Sequence, residues 1–143
     1  MDSLPHAHEA LFFQNQAGVL YYQPAGYVRL AWGADRQPLE TIQAFYEQVL
    51  ALLTSTGVRR ILSDHGQRAP LPLAVQEWLT TSWIPRAMNQ ARTQHCAIVE
   101  GADPLHRLST QSVVSTSPTG FQYKRFDNFG AADGWLRTLV LPG

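Results

Sequence analysis

Between Gln94 and Gly101 the chain reads His95-Cys96-Ala97-Ile98-Val99-Glu100, a continuous apolar run with no polar residue at alternate positions. Successive side chains on a strand point to opposite faces, so a strand that is apolar on both faces is covered on both. Strands of this kind sit inside parallel sheets, and the crossover helices supply the cover. The run therefore predicts a central buried strand in an α/β fold, with a helical segment before it and another after it.

The flanking segments fit. Pro38 suits a first helical position, where its missing N–H has no partner to lose. Ile42, Phe45, Tyr46, Val49, Leu50 and Leu53 then form one apolar stripe at helical spacing, and Gly57 follows as a left-handed cap. A strand is expected from about Val58 to Ser63. The next helix runs from about Leu71 to Gln90, with Val75, Trp78, Leu79 and Trp83 on one face. Pro85 lies inside that pattern and predicts a kink or a break. Asp103-Pro104 starts a third helix that continues into a Ser/Thr-rich stretch. "FQYKRF" reads as the last strand. Asp127 or Asn128 caps a final helix carrying Phe129, Ala132, Trp135, Leu136 and Leu139, despite Gly130 and Gly134.

Ahead of all this lie three short β signals. "ALFFQNQ" and "VLYYQ" are separated by Ala17-Gly18, and Pro24-Ala25-Gly26 turns the chain into "YVRLAWG". Period-two alternation puts Val28, Leu30 and Trp32 on one face. The predicted fold class is α/β, a mixed sheet in which an antiparallel meander precedes a βαβαβα series. Residues 1–10 read as a loose tail and 11–143 as one domain.

Composition narrows the function. Eleven basic and eleven acidic residues give zero formal charge, without the basic surplus of a nucleic-acid binder. Cys96 is the only cysteine, which excludes an internal disulfide and a cysteine zinc cluster. No apolar run approaches the roughly 20 residues that span a bilayer, and the N-terminus lacks the pattern of a signal peptide. The expected location is cytoplasmic. Dinucleotide, P-loop, zinc-protease and calcium-loop motifs are absent, so no cofactor and no metal is expected.

The polar stretch "SDHGQRAPLP" follows the strand that ends at Ser63. Ligands in open α/β sheets sit at the carboxyl ends of strands. Consecutive strand residues face opposite ways, however, and no G-x-S-x-G elbow is present, so a Ser-Asp-His triad is not expected. Asp64 should accept from turn amides. His65 and Arg68 should point outward as a recognition surface. Trp83 and Arg86, beside the Pro85 irregularity, are further binding candidates, and Tyr46, Trp78 and Trp83 could line an apolar pocket. His6, His8 and Glu9 fall in the tail, where ordering entropy works against a metal site. Cys96 adjoins His95 but belongs to the buried run and should be inert. His106 should lie on the surface.

The order of elements resembles the STAS-like (SpoIIAA-like) domains, a superfamily grouped with the CRAL-TRIO lipid-binding domains. The resemblance rests on the aromatic strand pair before "YVRLAWG", on "PLETIQAFYEQVLALLTSTG" before "ILSD", on "VQEWLTTSWIPRAMNQA" before "HCAIVE", and on "FDNFGAADGWL". It implies a non-enzymatic domain acting through a protein partner or a second copy, with a small apolar ligand or lipid as the alternative. Bacterial anti-sigma-factor antagonists of this family carry a phosphorylated serine at the helix start after this strand. Here Ala69-Pro70-Leu71-Pro72 offers no hydroxyl, so the loop's position carries over and its chemistry does not.

Overall fold

A computed structural model describes residues 8–66 and 68–139. Six strands form one sheet in sequential order: β1 (Ala10–Asn15), β2 (Gly18–Gln23), β3 (Tyr27–Trp32), β4 (Arg60–Asp64), β5 (His95–Val99) and β6 (Gln122–Phe126). β1, β2 and β3 pair antiparallel, and β3 through β6 pair parallel. The mixed sheet expected from the sequence is present. Gly18 is required where β2 begins, because the backbone of Ala31 occupies the place of a Cβ.

Helices α1 (Leu39–Thr56), α2 (Leu73–Trp78), α3 (Ile84–Ala91) and α4 (Pro104–Thr116) connect the parallel strands, and α5 (Phe129–Thr138) follows β6. Pro38 sits one residue before α1, and Gly57 closes that helix with φ 75°. Asp103 and Asn128 cap α4 and α5 by accepting from Leu105 N–H and Ala131 N–H. Pro85 leaves its mark upstream. Leu79–Trp83 form a π turn, in which Ile84 N–H donates to Leu79 O, five residues back. The proline ring would crowd the carbonyl of Thr81, and the wider turn accommodates it.

Side-chain parity divides the core in two. Val28, Leu30, Trp32, Ile61, Cys96 and Ile98 face the α1–α4 side. Tyr27, Leu62, Ala97 and Val99 face α5, packing on Ala132 and Leu136. β5 is paired on both edges and covered on both faces, as its apolar run requires. β3 is buried on both faces as well. Arg29 is fully buried opposite Glu9, and Ala10 already belongs to β1. Glu9 and Ala10 are therefore part of the fold, a correction to the expected tail, while residues 1–7 lie outside the described residues.

Ile98 tests this placement. Ile98→Ala should cost about 2 kcal/mol, the low end for emptying a core isoleucine, because Ile98 already borders a cavity. Equilibrium denaturation checks it. A loss below about 1 kcal/mol would mean β5 is not an inner strand.

Candidate functional site

Parity also decides what "SDHGQRAP" does. Ile61 faces the α1–α4 side, so Ser63, two residues on, faces it too, and His65 continues in the same direction. Asp64 points to the opposite side, where it lines a polar crevice of about 340 Å³ with Glu100, Arg107 and Asp127. Glu100 is engaged there by Arg125. No metal-holding group of three acidic, histidine or cysteine residues occurs among the described residues.

The polar side chains expected to point outward from this segment are buried instead. Asp64 is 2% exposed, and His65 and Arg68 are each 5% exposed. Tertiary hydrogen bonds pull the segment inward: Ala69 N–H donates to Ala34 O at 3.0 Å, and Leu71 N–H donates to Ser109 Oγ at 3.2 Å. Arg68 N–H closes the turn on His65 O at 2.8 Å. His106, expected at the surface, is fully buried, with its ring 4.7 Å from that of His65 and nearly perpendicular to it. Gly101 suits the close packing here, since a Cβ would stand 3.2 Å from the backbone oxygen of Gly66, with His65 and His106 just beyond.

Ser63, His65, Arg68 and Thr110 form the polar end of a chamber of about 60 Å³ between the sheet and the α1–α4 layer. Trp32 Nε1 donates to Ser63 Oγ at 2.9 Å. The Ser63 hydroxyl is then able to donate to His65 Nε2, at 3.1 Å. That arrangement leaves the proton on His65 Nδ1, facing Thr110 Oγ1 at 3.5 Å. The Arg68 guanidinium lies over the Trp32 ring, 3.6 Å from its centroid, and shares the chamber lining with Tyr46. The rest of the wall is apolar, including Ile61, Ile98, Val113 and Phe121.

The electrostatics are one-sided. Burial, followed by the charge of Arg68 and then His106 and Arg125, holds His65 well below the usual histidine range. His106 is pushed down to about 4 by burial and Arg68, with Asp103 opposing. Burial lowers Arg68 to about 10, so it stays cationic at neutral pH. Tyr46 is raised to about 12 by burial and remains neutral. Among the described residues no Asp or Glu lines the chamber.

The remaining candidates divide. Trp83 is a core residue, 2% exposed, and its Nε1 donates to Tyr46 O at 2.8 Å. It does border the chamber, as does Tyr46. Arg86 lies at the surface, paired with Glu47, and does not reach the chamber lining. Cys96 is buried and lines the chamber, and burial raises its thiol to about 12. His6 lies outside the described residues, and Glu9 is engaged by Arg29. Thr110 and the donor Trp32 are site residues that sequence reasoning did not identify. The shared parity of Ile61, Ser63 and His65 was the signal that could have turned the site inward.

No helix among the described residues is long and apolar enough to cross a membrane. Compared with family models, curated proteins and solved structures, the chain matches none, so the chamber's own chemistry is what bears on function.

Proposed function

We propose that this chain is a non-enzymatic binding domain of STAS-like, SpoIIAA-like type that holds a small, largely apolar ligand in the chamber beneath α1–α4. The observation that carries the reading is a partly open cavity with an apolar wall and one cluster of polar groups at its end. Ligand sites are commonly built this way, with a few convergent polar groups fixing orientation. The sequential sheet with its antiparallel meander supports the family assignment. Regulation through a protein partner, which the resemblance implies, would need a surface other than the buried side chains of Asp64, His65 and Arg68.

The Ser63–His65 hydrogen bond has the form of a nucleophile and its base. The electrostatics argue for a binding wall instead. A histidine in a dry site facing Arg68 takes up a proton poorly, and its other nitrogen faces a threonine rather than a carboxylate.

Cys96 reports on the chamber directly. Without denaturant, a thiol reagent should label it only slowly, because burial disfavours the thiolate. Native mass spectrometry of protein purified from its own host should show an added small mass that denaturing conditions remove. A bare chain whose thiol labels at the unfolded rate would sink the reading.

A further inference from the structure

We infer that the ligand is a short-chain monocarboxylate, its head paired with Arg68 and its tail against the apolar wall. The inference rests on the reading of the chamber as a ligand site and names the chemistry of its occupant.

Arg68 carries the argument. Its side chain is buried, yet Nη2 has no hydrogen-bond partner among the described residues. A buried cation is costly unless it is paired and hydrogen-bonded. The other fully buried arginine, Arg29, follows that rule, with both Glu9 oxygens within 3.1 Å. Among the described residues the Arg68 guanidinium has the face of Trp32 and no carboxylate partner. Stacking on Trp32 fixes the guanidinium plane and leaves its edge to bind, and a carboxylate matches that edge as a two-pronged fork.

Charge and size narrow the class. Among the described residues the lining holds one cation and no carboxylate, so a monoanion neutralises the chamber and a dianion overshoots. Ser63, Thr110 and Tyr46 add hydroxyls at the same end, and Ile61, Ile98, Val113 and Phe121 receive carbon. A buried water needs about 10–15 Å³ of such cavity space, so the chamber, at about 60 Å³, has room for a carboxyl group with a short tail.

The test titrates propionate, propionamide, octanoate and inorganic phosphate into the purified protein. Tryptophan fluorescence and the rate of Cys96 labelling are the readouts. Propionate should bind about tenfold or more tightly than propionamide, the margin of a charge-assisted fork over a neutral hydrogen bond, and should slow labelling. Octanoate and phosphate should bind at least as weakly as the amide. R68M should lose the preference for acid over amide while still admitting propionamide. R68K, which retains charge without the fork, should keep a reduced preference and guards against a folding defect in the first variant. Equal binding of propionate and propionamide would overturn the carboxylate and leave the apolar-ligand reading standing. Phosphate displacing propionate at similar concentration would overturn it in favour of an inorganic anion. If none of the four probes binds, both readings fall.

Discussion

Replacing Arg29 with Met should cost about 3–5 kcal/mol, the range for stranding one charge of a buried ion pair. Arg29 Nε and Nη2 fork onto Glu9, and neither side chain is exposed. The guanidinium also lies 4.6 Å from the Tyr21 ring centroid. Methionine preserves much of the volume, so the loss comes mainly from a Glu9 carboxylate left without its cation. The double variant R29M/E9Q should recover most of it, because both charges are then gone. Urea denaturation of the two variants measures the difference. The same substitution at Arg68 is the internal control: no carboxylate among the described residues lines that chamber, so R68M should lose little or gain stability. A loss below about 1 kcal/mol for R29M would mean that water reaches the pair and that Glu9 is not part of the fold's edge.

Mild acid should destabilise the protein through His65 and His106. In the unfolded chain both titrate near the ordinary histidine value of 6.5. In the fold both are held lower, and His106 reaches about 4. Above the unfolded value both states are neutral and stability is full. As pH falls below it, the unfolded chain takes up protons that the native state refuses, and stability drops until the folded value is passed. At about 1.4 kcal/mol per pH unit, His106 alone should remove about 2–3 kcal/mol by pH 4.5, and His65 acts in the same direction. The neighbours that set the effect are Arg68 and Arg125 on the repulsive side and Asp103 on the attractive side. His106→Phe should flatten the profile, and neither ring nitrogen of His106 has a hydrogen-bond partner among the described residues to lose. Denaturation midpoints at pH 7.5 and 4.5 decide the matter. An unchanged difference between the two pH values in the variant would show that His106 does not carry the effect.

Much of the fold was legible in local pattern. The α1 stripe from Ile42 to Leu53, the Gly57 cap, the Asp103 and Asn128 caps and the doubly apolar β5 each follow from interactions within a few residues. Pro85 announced an irregularity for the same reason, although its form, a π turn one residue short of the proline, is set by how the ring and the Thr81 carbonyl share space.

The site was legible only by half. Sequence alone placed Ser63, Asp64, His65 and Arg68 at a strand's carboxyl end and, through period two, separated Asp64 from its neighbours. Whether the segment faced water or the core was decided elsewhere. Ala34 and Ser109 pin the loop from distant elements, and His106 of α4 closes over His65. Glu9 illustrates the same limit: only its meeting with Arg29, 20 residues away, turns an apparent tail into part of the core. Helix stripes, caps and strand parity are short-range consequences of backbone geometry, so the sequence determined them. The burial of Arg68 and its lack of a carboxylate depend on which remote side chains converge, and only the packing of α4 and α1 onto the sheet decided that.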